Sequence, residues 1–361
     1  MTTHIQQFTK GKCFCIFCHA SLEWEIADIL KTLGIKVVKA NNDRQHSERP
    51  CIPDYTDMDF GDPLRERIRT ATCTPEDFAD VNFIFMMNTD KFQHVVPHLA
   101  TFKPVILYLF GQHTDTQLAE FAGCMNVQWE KGLQPNIFTV CYARREFEYL
   151  ESRLASEVKN HLRYIRFSKR LEHYYPWKVP ALSGTINQWL AYAPNRLPFV
   201  FTACNSIHNR GDGCGWAELS MIRHRLPHIL CGHETEQVGG TGRIPFEDLK
   251  RFYWTCGAYL SFPAWPAPLV MNCFESMMAG CPIAFLDNGR GAADEGLFDN
   301  GVGCLSTSPN DLYEYCKRAI TDKGFQKEQS ERCQQRAIEF YEFSRNIKHW
   351  VSLFEEVEKF W

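Results

Sequence analysis

The sequence predicts an α/β protein made of two Rossmann-like domains that face each other across a cleft. Short apolar strands alternate with helical patterns along most of the chain, which is typical of parallel sheets covered on both faces. The alternation is interrupted at residues 174–184, where two prolines and a glycine predict a linker. With 361 residues, 45% of them apolar, the chain can build two ordinary hydrophobic cores.

In the first half, five apolar runs of strand length predict the first sheet. They lie at residues 12–17, 35–39, 81–87, 105–110 and 137–141. Helical patterns occupy residues 22–33, 92–99 and 144–162, and Gly34 ends the first of them. The polar stretch 40–74 is typical of a loop.

The second half repeats the alternation and predicts a second parallel sheet. Its strands are expected at residues 198–203, 228–231, 257–262 and 283–286. Helices are expected at residues 216–224, 245–255 and 310–320, in a short segment around Glu275, and at 327–361. Ligands of such sheets bind at the carboxyl ends of the strands, which directs attention to loops 204–215 and 263–270.

Composition excludes several classes of function. The formal net charge of −4 argues against a general nucleic-acid binder, because such proteins neutralise phosphates. No window is long and apolar enough for a membrane span, and the N-terminal residues do not resemble a signal peptide. The sixteen cysteines are spread through strand and helix patterns, so we expect reduced thiols in a cytoplasmic protein.

Two short motifs resemble metal sites, but neither supports one. Cys13, Cys15, Cys18 and His19 have ligand-like spacing, yet the run 13–18 that contains the three cysteines follows a strand pattern, and cysteine is an ordinary buried residue of strands. The Asp57-Met-Asp59 sequence lies in a polar stretch instead of at the end of an apolar strand. We therefore predict no metal.

Glu275 is the residue that its surroundings explain least. It lies on a short helix among Phe274, Met277 and Met278, and Gly280 ends that helix. A buried carboxylate is costly unless it accepts hydrogen bonds, and a nucleotide ribose offers two adjacent hydroxyl donors. Glu275 is thus a candidate ribose ligand; the alternative is a glutamate that faces solvent at a strand–helix junction.

The second half resembles the C-terminal donor-binding domain of GT-B glycosyltransferases, most closely retaining family 4. The resemblance spans roughly residues 198–350 and rests on an ordered set of motifs. These are the strand and phosphate loop 199–211, the strand end 230–232, the turn 241–249, the Glu275 segment 272–283, and the glycine-rich turns 287–291 and 295–303.

The resemblance implies an architecture. Residues 1–180 would form an acceptor-binding Rossmann-like domain, residues 190–338 the nucleotide-sugar donor domain, and residues 339–361 a helix that packs back on the N-terminal domain. The aromatic face of that helix carries Phe343, Trp350 and Phe354.

It also implies a hexosyltransferase-like enzyme of class EC 2.4. A sugar would pass from a nucleotide sugar, with UDP- or GDP-sugars favoured, to a hydroxyl of a glycan, a glycolipid or another acceptor. The reaction would retain the anomeric configuration and need neither a metal nor another cofactor.

Several residues are candidates for the donor site. Arg210, in a glycine-bracketed loop, would stabilise the diphosphate and act in catalysis, and Ser206 and Arg243 would also contact the donor. Pro268 is expected in the first turn of the Glu275 helix, which would direct the N–H groups of Leu269, Val270 and Met271 to the ligand. Exposed loop arginines without function are the alternative for Arg210 and Arg243.

His113, after the strand 105–110, is a candidate catalytic residue that would hydrogen-bond the sugar or acceptor, or polarise a hydroxyl. A histidine that only caps the strand end is the alternative. Residues 159–178 combine basic and aromatic side chains, which fits either a membrane-surface patch or a solvated helix face.

One departure from the family concerns the transferred sugar. The family carries a second acidic residue eight positions before the ribose glutamate, where this chain has Ala267. The absent acid supports one alternative function, a degenerate transferase that acts as a binding module. A nucleotide-sugar epimerase or hydrolase is the other alternative, because it shares the same fold.

Overall fold

A computed structural model describes residues 6–17, 20–41, 56–58, 63–87, 95–109, 113–130, 132, 136–174, 196–263 and 267–361. The chain forms two compact units. Unit 1 contains residues 1–168 and 344–361, and unit 2 contains residues 169–343. Most of the predicted linker falls in residues 175–195, outside the described ranges.

Unit 1 contains a seven-stranded parallel sheet. Its strands are β1 (Lys12–Phe17), β2 (Lys36–Asn41), β3 (Thr56–Met58), β4 (Phe83–Met87), β5 (Val105–Leu109), β6 (Ile137–Cys141) and β7 (Leu162–Tyr164). The spatial order β3-β2-β1-β4-β5-β6-β7 is the strand order of a Rossmann fold with one strand added. The central strands β4, β5 and β6 are buried along their whole length, which explains their uninterrupted apolar sequence.

Helices connect these strands. They are α1 (Ala20–Thr32), α2 (Pro63–Arg69), α3 (Val96–Ala100), α4 (Asp115–Glu130), α5 (Arg144–Arg153) and α6 (Ser156–Lys159). Leu118, Phe121 and Met125 of α4 join the core beside the sheet.

Unit 2 contains a five-stranded parallel sheet. Its strands are β8 (Leu197–Ala203), β9 (His228–Cys231), β10 (Cys256–Ser261), β11 (Ile283–Leu286) and β12 (Cys304–Ser306), in the order β12-β11-β10-β8-β9. This is a doubly wound order whose direction reverses between β8 and β10. The loops that follow these two strands flank the point where such sheets bind ligands.

The helices of unit 2 are α7 (Ile207–Arg210), α8 (Trp216–Arg223), α9 (Phe246–Thr255), α10 (Met271–Met278), α11 (Pro309–Thr321) and α12 (Lys323–Tyr341). The prediction that the Glu275 helix ends at Gly280 is confirmed. Gly280 has a φ of 69°, and the N–H of Cys281 donates to the carbonyl of Ser276 at 2.9 Å, which closes the helix end.

The final helix, α13 (Phe343–Val357), belongs to unit 1. Trp350 and Phe354 are fully buried, and their rings lie 6.1 Å from Phe85 and 5.4 Å from Phe83 respectively. The predicted return of the C-terminal helix to the N-terminal domain is therefore confirmed, together with the two Rossmann-like α/β domains.

The two segments that connect the units lie side by side. The N–H of Lys169 donates to the carbonyl of Tyr341 at 2.6 Å, and the N–H of Phe343 donates to the carbonyl of Lys169 at 2.9 Å. Glu342 is extended, with φ −62° and ψ 133°, and pairs with Lys169 as an isolated β-bridge. The single long helix predicted at 327–361 is wrong, because this bridge divides it into α12 and α13.

The single helix predicted at 144–162 is also wrong. Leu154 adopts an extended conformation, and α6 and β7 follow it. Asn126 of α4 causes the break: its side chain accepts from the N–H of Ala155 at 2.9 Å and donates to the carbonyl of Arg153 at 3.1 Å. This cap comes from a distant part of the sequence, and the helix that supplies it, α4, was not predicted.

Short elements also occur in the stretch predicted as loop. Residues 56–58 form β3, which pairs with β2, and residues 63–69 form α2. Asp57 therefore lies in an edge strand, whereas Asp59 lies outside the described residues. Three residues are too few to show a period, so tertiary pairing decides this strand.

Acidification should destabilise unit 2 through His228. Burial, and then the charges of Arg223 and His224, lower the pKa of His228 to about 3. The Thr202 hydroxyl donates to the carbonyl of Leu260 at 2.8 Å, so it accepts from Nε2–H of His228 at 3.0 Å. Since the unfolded histidine titrates near 6.5, stability is lost as pH falls below that value, by about 2 kcal/mol at pH 5.

Urea titrations at pH 7.5 and pH 5 check this expectation. A His228→Gln variant should lose part of the acid sensitivity. His224→Gln should keep most of it, because His224 is exposed and its charge is the smallest of the three causes that lower the pKa of His228. Equal acid sensitivity in wild type and His228→Gln would show that another group is responsible.

Within the described residues, no helix combines the length and apolar character needed to cross a membrane. The cysteines in those residues are free thiols. Cys13 and Cys15 are buried in β1 with their Sγ atoms 3.4 Å apart, and no group of three potential metal ligands is found in the described part of the chain.

Candidate active site

The loop after β8 is held in an unusual backbone conformation. Ser206 has a φ of 49° and lies directly before α7, which carries Arg210. A non-glycine residue with positive φ is strained, and such strain persists only where surrounding contacts fix it. Gly211 and Gly215 also have positive φ and follow within the same loop, so glycine supplies the remaining turns.

Hydrogen bonds join this loop to the loop after β9. The N–H of Ser206 donates to the carbonyl of His233 at 2.7 Å, and the N–H of His233 donates to Oδ1 of Asn205 at 2.8 Å. Asn209 donates to Glu234 at 3.0 Å, and Glu234 itself has a φ of 63°. The Ser206 hydroxyl and the Asn209 amide hold the pKa of Glu234 below its ordinary value, so the carboxylate is ionised at neutral pH.

Gly232 allows the two loops to approach each other. Its φ is 136°, and a Cβ placed on it would lie 2.2 Å from the carbonyl oxygen of Cys204. Only glycine fits this position. The glycine that ends the second strand, recognised in the sequence, is therefore required for the packing of this strand end against the loop after β8.

Glu275 is fully buried on α10. The helix is anchored at both ends. Nδ2 of Asn272 donates to the carbonyl of Ala203 at the end of β8 at 2.8 Å, and Arg196 donates to the carbonyl of Ala279 at 2.9 Å. These contacts place the carboxylate beside the reversal of strand order, so the alternative of a solvent-facing Glu275 is wrong.

Pro268 does not lie in the first turn of this helix. α10 begins at Met271, with Val270 extended before it, so Pro268 and Leu269 precede the helix and are buried. The N–H groups of Met271 and Asn272 in the first turn have no intrahelical acceptors. The predicted start of the helix is therefore wrong, and the ligand contacts of this segment stay a prediction.

The candidate cations of unit 2 are both exposed. Arg210 ends α7 and lies close enough to Cys204 for its charge to lower the pKa of that thiol, while a hydrogen bond from the Cys204 thiol to Cys214, and then burial, raise the pKa of Cys204 and have the larger effect. Arg243 lies in the loop before α9. Exposure leaves both guanidinium groups accessible to a phosphate.

Ala267 is fully buried, and its carbonyl accepts from the Asn288 amide at 3.3 Å. Asn288 belongs to the glycine-rich turn after β11, in which the N–H of Arg290 donates back to the Asn288 side chain at 3.1 Å. The polar groups of this turn therefore lie next to the position where an acidic residue was expected and is absent.

In unit 1, His113 has a partner that the sequence did not indicate. Its Nδ1 lies 2.7 Å from Oε1 of Glu146, and its backbone N–H donates to the same oxygen at 3.2 Å. Glu146 is fully buried and His113 is 3% exposed. Glu146 occupies the first turn of α5, after the strand next to β5, so both residues lie at the carboxyl edge of the sheet.

Glu146 was missed because it follows Arg144 and Arg145 and resembles an ordinary charged helix start. The arginines have surface roles: Arg144 pairs with the exposed Glu148 at 2.7 Å, and Arg145 pairs with Asp115. The sequence signal that could have revealed Glu146 is its position shortly after the apolar strand 137–141.

The basic segment 159–178 presents no exposed cation in its described part. Lys169 is buried, the remaining basic side chains up to residue 174 are half-buried, and Arg163 forms an ion pair with Glu356.

No protein-family model and no curated protein matches the chain. Solved structures do. Sucrose-phosphate synthase from Thermosynechococcus elongatus is 14% identical, covers 97% of this chain and 99% of its own, and superimposes with a TM-score of 0.68. Anabaena HepE in complex with UDP and glucose is also 14% identical, with 96% and 99% coverage and a TM-score of 0.65.

A UDP-N-acetylglucosamine 2-epimerase from Listeria monocytogenes, described as putative, is 14% identical, with 96% of each chain covered and a TM-score of 0.58. Similarity at this level of identity establishes the fold, which is that of GT-B glycosyltransferases. Activity must be argued from the site.

Proposed function

We propose that the protein is a glycosyltransferase that moves a sugar from a nucleotide sugar to an acceptor hydroxyl. The observation that carries the proposal is Glu275, a fully buried carboxylate on a helix fixed beside the strand-order reversal of unit 2. A carboxylate there can accept hydrogen bonds from both hydroxyls of a ribose.

The neighbouring groups supply what a diphosphate requires. The strained loop at Ser206, the exposed guanidinium of Arg210, and the first-turn N–H groups of Met271 and Asn272 provide cationic and backbone donors. Ser206, Arg243, Leu269 and Val270 remain proposed donor contacts in the surrounding loops. HepE has been crystallised with UDP-glucose, which supports a UDP-sugar as the first donor to test, ahead of a GDP-sugar.

His113 is the proposed catalytic group of unit 1, where it would bind a hydroxyl of the sugar or of the acceptor. The proposed acceptors are glycans, glycolipids or other hydroxyl compounds. The same proposal includes retention of the anomeric configuration and hexosyltransferase-like activity, both of which rest on the family resemblance. It also includes a cytoplasmic location and peripheral membrane contact through residues 159–178, both of which rest on the composition.

Product analysis tests the reaction. The protein is incubated with UDP-glucose, UDP-N-acetylglucosamine or GDP-mannose and a panel of hydroxyl acceptors, and the product anomer is assigned by NMR. Transfer with the donor's configuration supports the proposal. Transfer with inversion removes the retaining assignment, and the absence of both nucleotide binding and turnover overturns the proposed activity.

Replacing Arg210 with alanine should lower kcat and the affinity for nucleoside diphosphate by about 1.5–3 kcal/mol each, the range for hydrogen bonds to charged groups. Nucleoside affinity should be nearly unchanged, because the lost group contacts only phosphate. Calorimetric titrations with uridine and with UDP measure the nucleoside and the diphosphate affinity separately. Arg251→Ala is the control, since Arg251 is exposed and pairs with Asp248; equal losses for uridine and UDP would contradict the assignment.

Turnover should not require a divalent metal, because protein cations and N–H groups are proposed to stabilise the leaving diphosphate. Activity should therefore survive EDTA. Loss of activity in EDTA with recovery on adding manganese would identify a metal-dependent transferase instead.

A nucleotide-sugar epimerase or hydrolase is the second candidate, favoured by the buried His113–Glu146 pair in unit 1. Such an enzyme needs catalytic carboxylates, and Glu146 is a buried carboxylate that the sequence did not reveal. NMR of the nucleotide sugar incubated without an acceptor distinguishes this candidate from a transferase. A changed stereocentre in the sugar, or the release of free sugar as fast as transfer, would favour the epimerase or hydrolase.

A further inference from the structure

Arg196 is a buried cation that directly precedes the first strand of unit 2, β8. Its guanidinium makes five hydrogen bonds, and none of the acceptors is a carboxylate. A buried charge is costly without such partners, so these contacts fix the side chain in place. The acceptors are the carbonyls of Tyr253, Trp254, Cys256 and Ala279, at 2.7, 2.9, 3.2 and 2.9 Å, and the hydroxyl of Ser330 at 3.1 Å.

The four carbonyls lie at the C-terminal ends of two helices. Tyr253 and Trp254 are in the last turn of α9, and Cys256 follows that helix. Ala279 follows the last residue of α10. The last carbonyls of a helix have no helical donors and carry partial negative charge, so one guanidinium stabilises both helix ends at once.

The opposite ends of these helices lie at the ligand edge of the sheet. A helix that connects two parallel strands runs against them, so its N-terminus lies at the carboxyl edge, where doubly wound sheets bind ligands. α9 begins at Phe246, shortly after Arg243, and α10 begins at Met271. Arg196 lies at the amino edge, before β8, so it contacts the helices and not the ligand.

The end of α10 that Arg196 holds is one helical turn from Glu275. The N–H of Ala279 donates to the carbonyl of Glu275 at 3.1 Å, and the carbonyl of Ala279 accepts from Arg196. Ser330, which accepts from Arg196, donates in turn to the carbonyl of Gly280. The whole helix has eight residues and is about 12 Å long, so a shift of its C-terminal end also moves Glu275.

We propose that Arg196 is a positioning residue of the donor site: it fixes the C-terminal ends of α9 and α10 together, and thereby holds Glu275 where a ribose reaches its carboxylate. The inference rests on the glycosyl-transfer function proposed above. It makes nucleotide affinity depend on a cation at the edge of the sheet away from the ligand, at a residue that no sequence motif indicated.

Hydrogen exchange of backbone amides tests the contact without any ligand. Arg196→Lys keeps the charge and loses the planar fork of donors, whereas Arg196→Met loses both. The amides of residues 279–281 donate to carbonyls of α10, and they should exchange about tenfold faster in Arg196→Met than in wild type, with a smaller increase in Arg196→Lys. The amides of α11 should change much less. An increase spread evenly over unit 2, or no increase at all, overturns the inference.

Calorimetric titration of uridine tests the effect on the site. Arg196→Met should weaken uridine binding about fivefold or more, on the scale by which residues away from a ligand alter its binding, and Arg196→Lys should recover part of the affinity. Leu312→Ala is the control for lost stability, because Leu312 is fully buried on α11 in the same unit. At a temperature at which all variants are folded, the control should bind uridine like wild type. Wild-type affinity in Arg196→Met, or an equal loss in Leu312→Ala, contradicts the proposal.

A double-mutant cycle shows whether Arg196 acts through Glu275. Once Glu275→Ala has removed the carboxylate, adding Arg196→Met should weaken uridine binding by less than about twofold more. Losses that multiply would show that Arg196 does not act through Glu275 and would overturn the positioning role.

Melting temperatures establish that each variant is folded. If Arg196→Met does not fold, Arg196→Lys and Ser330→Ala, which removes the bond to Gly280, take its place in each test. If wild type binds neither uridine nor UDP, the proposed function fails, while the exchange test still decides whether Arg196 fixes the end of α10. If wild type binds both and the Arg196 variants bind them equally well, only the positioning role fails.

Discussion

Replacing Glu275 with alanine should weaken nucleotide binding by about 1.5–3 kcal/mol, or roughly 10- to 150-fold in Kd. The carboxylate is fully buried on α10, whose first turn is tied to the end of β8 by Asn272. Losing it removes two charge-assisted acceptors for the ribose hydroxyls. Binding of UDP and of uridine should weaken together, because both contain the ribose.

Calorimetric titration of UDP, uridine and deoxyuridine measures this effect. Ser276→Ala is the matched control, since Ser276 is equally buried on the next position of the same helix and its hydroxyl donates only locally, to Cys273. The loss of affinity caused by Glu275→Ala should be smaller for deoxyuridine, which lacks one ribose hydroxyl, than for uridine. A folded Glu275→Ala protein that binds uridine like wild type would remove Glu275 from the site.

Gly232→Ala should cost roughly 3–5 kcal/mol of folding free energy, because backbone strain and a clash combine. The φ of 136° disfavours any L side chain, and the new Cβ would lie 2.2 Å from the Cys204 carbonyl, which cannot rotate away. The loop that contains Ser206 and Arg210 must move to relieve the contact. Nucleotide affinity should therefore fall together with stability.

The control for strain alone is Gly132→Ala in unit 1. Gly132 has a φ of 71°, and a Cβ there would meet no atom of the described residues within 4 Å. Its expected cost is roughly 1–2 kcal/mol, the penalty of the left-handed region for a residue with a Cβ. Urea titration of both variants gives the comparison, and a Gly232→Ala loss no greater than that of Gly132→Ala would show that the close approach is unimportant.

The sequence was sufficient for the buried strands. Residues 137–141 and 283–286 form strands with the predicted bounds, because a strand buried on both faces is apolar along its whole length. Residues 12–17 and 228–231 also match the predicted bounds, although β9 lies at an edge of its sheet and is fully buried only at Leu230 and Cys231. The long helix α4 was missed, since its apolar residues are interspersed with polar ones and give a weak helical period. Edge strands such as β3 and β7 depend on a neighbour, and their sequences carry little signal of their own.

In the candidate site, too, the sequence revealed some residues and missed others. Glu275 was recognised because a carboxylate in an apolar helix conflicts with its local sequence, and such a conflict is visible without a structure. The contacts of Ser206 with His233 and of His113 with Glu146 join residues far apart in sequence, within stretches whose local composition is ordinary. Their pairing is a property of the sheet order, which places separate loops at one edge.

The connection between the units has a consequence for biosynthesis. Unit 1 is completed by residues 344–361, which follow the whole of unit 2 along the chain. Until the ribosome has made them, the faces of Phe83, Phe85 and Tyr108 that Trp350 and Phe354 cover remain open to water. Unit 2 can complete its fold before unit 1 does, although its sequence begins later. The emerging N-terminal segment therefore spends most of its translation with an uncovered apolar surface, which is the kind of surface that chaperones bind.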